Sequence, residues 1–189
     1  MNTEPVHLLI VEDEAAHVEA IRRAFEAAGS RAEIRAVGTL REYREELAAS
    51  PPDLALVDLN LADGRAVEIL THPPESAPFP ILVMTAFGTE QIVVEVMKAG
   101  ALDYVVKSPE TFAGMPQTAA RVLREWRLLQ KHRQAEAALA ASEKRHRAII
   151  DGSPVPLAVN DGQQRITYLN RAFVATFGFY WLAWNRRPD

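Results

Sequence analysis

The chain has 189 residues, of which 48% are hydrophobic and 24% charged. That is the composition of a folded globular protein, long enough for one full domain and part of another. It has no cysteine, which excludes a disulfide framework and a thiolate zinc site and fits a reducing, cytoplasmic setting. The start, Met1-Asn-Thr-Glu-Pro, lacks the basic and then apolar run of a signal peptide, and the longest apolar-rich stretch, Ala175–Trp184, is too short to span a bilayer. The net charge of −4 is uneven: residues 1–114 carry −10, residues 115–147 carry +5 and residues 148–189 carry +1. An acidic front, a basic middle and a near-neutral rear imply three pieces.

Val6–Val11 reads as a buried strand, followed by a helix with Val18, Ile21, Phe25 and Ala28 at helical spacing and Gly29 at its end. Ala32–Val37 is a less apolar strand, suited to an edge. Thr39, with Glu42 three residues on, is a capping-box start for a second helix, which Pro51-Pro52 stops. Leu54–Val57 is a wholly apolar strand. Gly64–Leu70 reads as a short helix, Ile81–Met84 as a fourth strand and Glu90–Ala99 as a helix closed by Gly100. Asp103–Val106 is a fifth strand, and another helix begins near Phe112–Met115. Strands alternating with helices, several of them continuously apolar, predict a parallel sheet covered on both faces by right-handed crossovers.

In such sheets ligands bind at the carboxyl ends of the strands. There the chain places Glu12-Asp13, Asp58, Thr85 and Lys107. Three carboxylates together repel, and a hard divalent cation such as Mg²⁺ resolves the repulsion. A lysine and a hydroxyl in the same pocket suit an incoming phosphoryl group, and a carboxylate beside them is a nucleophile for phosphorus.

These residues, with gaps of 45, 27 and 22 between Asp13, Asp58, Thr85 and Lys107, resemble the receiver domain of bacterial response regulators. Asp58-Leu-Asn-Leu-Ala-Asp-Gly64, Thr85-Ala86 and Gly100-Ala-Leu-Asp-Tyr-Val-Val-Lys107 carry the same likeness, which covers about residues 5–125. The resemblance implies a flavodoxin-like α/β fold with a five-stranded parallel sheet in the order 2-1-3-4-5. It implies that Asp58 accepts a phosphoryl group from a sensor histidine kinase or phosphotransfer protein. Asp13, Asp58 and the Asn60 carbonyl would ligate Mg²⁺, with Glu12 acting mainly through water. Thr85 and Lys107 would hold phosphoryl oxygens, and Tyr104 would be the aromatic switch residue. Two positions depart from the family: Ala62 stands where it usually has Pro, and Ser108 stands between Lys107 and Pro109. His7, His17 and His72 have no metal-ligand spacing and read as surface or core residues.

From Met115 to Asp151 there is no Gly and one Pro, and Ala, Leu, Glu, Arg and Gln dominate, so a long helix is predicted. Leu128, His132, Ala135, Leu139, Ser142, His146 and Ile149 alternate by four and three, a heptad seam suited to a parallel coiled coil and a homodimer through residues 115–150. A nucleic-acid partner is not expected, since no helix-turn-helix follows and the acidic front repels phosphates.

Further on, Ile150-Asp-Gly-Ser-Pro154, the Asp161-Gly162 hairpin signal and Asn170-Arg-Ala-Phe173 resemble the opening of a PAS sensor domain over about residues 142–179. A whole PAS domain is about a hundred residues, so residues 151–189 read as a truncated α+β segment with no cofactor of its own. Five aromatics in Phe177–Trp184 need cover to stay soluble. There are no ATP-binding glycine motifs, and neither His132 nor His146 lies in a kinase His-Glu-x-x-x-Pro pattern. The expected role is a phosphorelay switch and not a turnover enzyme. A phosphorylation-independent dimerisation scaffold and a PAS-centred ligand sensor are the alternatives.

Overall fold

The computed structural model describes residues 5–163 and 165–184, with side chains at all of these except 75 and 179–184. The chain divides into two compact units, Met1–His132 and Arg133–Asp189.

The first unit is built around one parallel sheet. Strands β1 (Val6–Val11), β2 (Ala32–Val37), β3 (Leu54–Asp58), β4 (Ile81–Thr85) and β5 (Asp103–Val106) lie in the order β2-β1-β3-β4-β5. All four pairings are parallel. Helices α1 (Ala15–Ala27), α2 (Leu40–Ala49) and α3 (Glu90–Ala99) alternate with the strands, and α4 (Pro109–Ala113) and α5 (Met115–Gly152) follow. This is the parallel sheet covered on both faces that the alternating pattern predicts, in the flavodoxin-like order that the resemblance implies.

Successive strand residues point to opposite faces, so each apolar strand feeds two core layers. Leu9, Val11, Ala55, Val57 and Val83 face one way, onto Leu40 and Tyr43 of α2 and Val96 of α3. Leu8, Ile10, Leu56, Leu82 and Met84 face the other way, onto Ile21 and Phe25 of α1 and Met115, Ala119, Val122 and Leu123 of α5. The central strands β3 and β4 are buried throughout, which is why they read as unbroken apolar runs. β2 is an edge strand with a half-exposed pattern.

Three local features differ from the sequence expectation. Gly64–Leu70 is not an α-helix. Asn60–Leu61 and Gly64–Arg65 pair as a two-residue antiparallel ladder, and a 3₁₀ turn at Ala66–Glu68 follows. The cap of α2 is also displaced. Thr39 Oγ1 accepts from Glu42 N (3.1 Å), but the Glu42 carboxylate accepts from Gly38 N (2.8 Å), one residue before the Thr39 amide that a capping box uses. Two further amides of that turn, Leu40 N and Arg41 N, donate to Asp63 at 2.8 and 3.0 Å. The last helical region opens earlier than expected, as the five-residue α4, before α5 begins at Met115.

Gly100 closes α3. It has φ +118°, and its amide and that of Ala101 bond back to Met97 and Val96 carbonyls at 3.2 Å. A β-carbon on Gly100 would stand 2.2 Å from the His72 carbonyl oxygen.

The second unit holds the end of α5, a hairpin of β6 (Ala158–Asn160) and β7 (Ile166–Leu169), and α6 (Arg171–Trp184). Among its described side chains only Asn170 is buried, at 0% exposure. Asn170 Oδ1 accepts from Leu157 N and Phe173 N, both at 2.9 Å. Its Nδ2 donates to Ile150 O and Val155 O at 2.9 Å and to Ser153 O at 3.4 Å. One amide therefore caps α6 and ties it to the end of α5 and to the segment leading into β6. Val155, Val159, Ile166 and Val174 are 42–58% exposed, so among the described side chains no packed apolar core supports these elements. The aromatic run beyond Gly178 lies outside the described side chains. Among the described residues no helix is long and apolar enough to cross a membrane.

Three consequences can be measured. Gly100→Ala meets both an unfavourable φ and a backbone clash, so urea unfolding of the first unit should show a loss of roughly 1–3 kcal/mol or more. The amide bonds to Asp63, led by that from Leu40 N, hold its carboxyl below the usual range. That stability is present above the unfolded value of about 3.9 and is lost as pH falls through the lower folded value. The melting temperature of Asp63→Ala should therefore lie below wild type at neutral pH, and the gap should close in acid below about pH 4. Asn170→Ala orphans several backbone groups at about 1–3 kcal/mol each, so limited proteolysis should cut residues 150–178 readily while the first unit stays resistant.

Candidate functional site

The parallel sheet brings one end of every strand to the same edge, and the polar residues of the first unit collect there. β1 runs out at Glu12, whose amide bonds to Val37 O, and β3 ends in Asp58. β4 ends in Thr85, whose carbonyl accepts from Lys107 N at 2.8 Å just past β5. Glu12, Asp58 and Thr85 are 4%, 7% and 2% exposed, and among the described residues Asn170 is the other buried polar side chain.

Lys107 is the centre of this group. Its Nζ lies 2.6 Å from Asp58 Oδ2 and 2.7 Å from Glu12 Oε2. The first contact is a hydrogen bond. The second is a close ion pair, in which the buried Glu12 Oε2 has no hydrogen-bond partner. Burial, helped by the Glu12 charge, pushes the Asp58 carboxyl above its usual range against the pull of Lys107. Burial works against the Lys107 ammonium, but the two carboxylates outweigh it and hold its pKa above the ordinary value.

Asp13 is exposed at the rim. Carboxylate oxygens of Glu12, Asp13 and Asp58 all lie within 4.8 Å of one another, close enough to ligate a single ion. Asn60 is exposed beside them, and its amide approaches Asp58 Oδ1 at 3.4 Å. These donors fit a small hard divalent cation: they are oxygens, they converge, and one buried oxygen lacks a hydrogen-bond partner. Thr85 Oγ1 sits on the same edge but is engaged in its own loop. It donates to Phe87 O (3.0 Å) and accepts from Phe87 N (3.3 Å). Tyr104 lies on β5 opposite Val83, half-buried against the first core layer. The Lys107–Ser108 peptide bond is trans, and Ser108 Oγ caps α4 by accepting from Thr111 N at 3.1 Å.

His17 corrects the sequence reading. It is neither a plain surface residue nor a core residue. Nδ1 lies 3.2 Å from Glu12 Oε1, 3.3 Å from Glu14 Oε2 and 3.5 Å from Lys107 Nζ, and the ring packs on Phe112. The available signal was its place in the first turn of α1. Helical side chains lean toward the N-terminus, so His17 covers the loop that carries Glu12 and Asp13.

Comparison with known proteins agrees with this geometry. A model of the response regulator receiver domain family matches residues 8–113, and a model of the PAS domain family matches residues 144–182. The methanogenesis regulatory protein FilR1 of Methanothrix harundinacea (strain 6Ac) is 31% identical over 156 residues, 80% of this chain and 33% of that protein. The transcriptional regulatory protein ZraR of Klebsiella oxytoca is 31% identical over 131 residues, 68% of this chain and 28% of that protein. The chain thus spans about a third of the length of these relatives. The signal receiver domain of a LuxO repressor protein from Vibrio parahaemolyticus superposes with a TM-score of 0.57 at 22% identity, covering 66% of this chain and 95% of that one. A response regulator from Chloroflexus aurantiacus J-10-fl gives 0.55 at 24% identity, covering 64% and 99%. These structures share the fold of the first unit. The chain belongs to the response regulator receiver domain family of two-component signalling.

Proposed function

We propose that this chain is a phosphorelay switch in which Asp58 accepts a phosphoryl group from the phosphohistidine of a sensor kinase or phosphotransfer protein. The observation that carries this reading is the buried Asp58 carboxylate held 2.6 Å from the Lys107 ammonium, with Glu12 and Asp13 converging on it. Receiver domains bind Mg²⁺ at such an acidic pocket. Here Asp13, Asp58 and the Asn60 carbonyl would hold the ion, with Glu12 acting through water. When bound, the ion offsets the charge on the phosphoryl oxygens.

An Asp58 oxygen attacks phosphorus, a P–O bond forms, and the P–N bond to the donor imidazole breaks, returning that nitrogen its electron pair. Lys107 already points its ammonium at the attacking carboxylate and so lies where phosphoryl charge arrives. Thr85 is one strand away, and its hydroxyl would leave the Phe87 loop to meet a phosphoryl oxygen. Tyr104, on the neighbouring strand, would respond by turning inward. The chemistry is one self-phosphorylation followed by slow hydrolysis, which makes a switch and not a turnover enzyme.

Intact-mass measurement after incubation with Mg²⁺ and acetyl phosphate tests this. The wild type should gain one phosphoryl group, and neither Asp58→Asn nor a chelator-treated sample should gain any. Lys107→Ala should be modified on the order of 100-fold more slowly, with its melting curve recorded to confirm folding. A folded wild type that never gains mass would leave the scaffold reading in its place.

A further inference from the structure

We propose that a cavity at the amino-terminal edge of the sheet is a binding site for a small neutral ligand, one with a flat apolar body and a single carbonyl acceptor. The inference is independent of the chemistry at Asp58, which lies at the opposite edge. Leu47 stands in the last turn of α2, Ile81 opens β4 and Gly100 closes α3, and all three line the cavity. It measures about 300 Å³ and opens to solvent. Its walls are mostly apolar, and Leu70, Phe79 and Ile81 among them are buried. An apolar cavity of about half this volume is enough to hold a benzene ring. The local sequence explains why the space is left. Gly64–Leu70 makes only a three-residue 3₁₀ turn, Ala66–Glu68, which covers less of the sheet than an α-helix would. The connection that follows, His72-Pro-Pro-Glu-Ser-Ala-Pro-Phe-Pro80, holds four prolines, whose fixed φ and missing amides keep it from extending that turn into a helix.

An apolar hollow alone does not say what fills it. Tyr43 does. It lines the cavity from α2 and is 3% exposed, yet its hydroxyl makes no hydrogen bond to any described residue. A buried donor left without an acceptor is costly. Burial alone pushes the phenol up to about 12, so at neutral pH it keeps its proton to give. The other polar groups of the lining are engaged elsewhere. Glu68 Oε1 accepts from Arg65 N at 2.8 Å, Thr71 Oγ1 and His72 Nδ1 lie 2.8 Å apart, and Arg44 lends its charge to the Asp63 carboxylate. What is missing is one acceptor for one buried donor. A held water needs about two to four polar partners, and the hydroxyl supplies one. A ligand carbonyl accepts from Tyr43 while its apolar remainder covers Leu47, Leu70 and Phe79. A carboxylate is the wrong occupant: Arg44 already serves Asp63, Glu68 stands in the same lining, and burying a full charge costs more than one hydrogen bond returns.

Acetophenone and ethylbenzene test this on the full chain, because they share a shape and differ in the carbonyl. Titrated into isotope-labelled protein and followed by NMR, acetophenone should move the amide signals of Tyr43, Leu47, Leu70 and Phe79 saturably. It should bind about fivefold more tightly than ethylbenzene, the worth of one net hydrogen bond. Tyr43→Phe should bring the two to equal affinity by weakening acetophenone alone. That variant should fold, because losing a hydroxyl without a protein partner leaves the urea midpoint at or above that of wild type. A lower midpoint shows the hydroxyl already satisfied and overturns the proposal. Acetophenone that binds no more tightly than ethylbenzene overturns it, and so does acetophenone that leaves these four amides unmoved.

Discussion

Two buried carboxylates at one end of a sheet repel each other in a medium that screens poorly. In this protein Glu12 and Asp58 tolerate that placement because the Lys107 ammonium stands between them at 2.7 and 2.6 Å. The contact constrains much of the first unit. Glu12 leaves β1, Asp58 leaves β3, and Lys107 leaves β5 at the sheet edge, with β4 lying between the last two. Neighbouring strands are about 4.8 Å apart, so the lysine at the end of β5 must span the width of β4 to reach Asp58. The parallel topology and the register of three strands must all be right for one cation to satisfy both acids. Removing the lysine would leave buried charge of one sign, which is far more disruptive than losing a surface pair.

Much of this was legible in the chain itself. Continuous apolar runs give way to Glu12, Asp58, Thr85 and Lys107, and a parallel sheet carries strand ends to one edge, so the grouping follows from the alternation of elements. The parallel sheet covered on both faces follows from the same pattern, and the strand order from the resemblance to the receiver family. The parts that were not legible depend on contacts between residues far apart. Asp63 caps α2 across 23 and 22 residues, and no local spacing announces it. Gly64–Leu70 looks like a helical turn, yet the short ladder with Asn60–Leu61 competes for the same backbone groups and prevails. His17 belongs to no motif, and only the lean of side chains in the first turn of α1 places it over the site.

The second unit rests on a different kind of support. Its strands and α6 expose most of their described apolar residues, and their order depends on hydrogen bonds converging on Asn170. Such an arrangement is specific in geometry but thin in hydrophobic stabilisation, since one amide fixes directions without removing much surface from water. Residues 133–152 of α5 are likewise supported by helix propensity more than by burial. Cover along that helix therefore matters more to this part of the chain than to the receiver unit, whose core is complete within itself.

The Thr85 hydroxyl sets a threshold of its own. It is held at both ends by Phe87, donating to the carbonyl and accepting from the amide. Each such bond is worth about 1 kcal/mol net, so freeing the hydroxyl opposes occupancy of a rearranged loop by roughly ten- to thirtyfold. At rest only a few per cent of molecules would hold the loop open. Under the proposed switch, an event at Asp58 would have to supply more than that ratio before the population inverts, so a weak or partial ligand would leave most molecules in the resting arrangement.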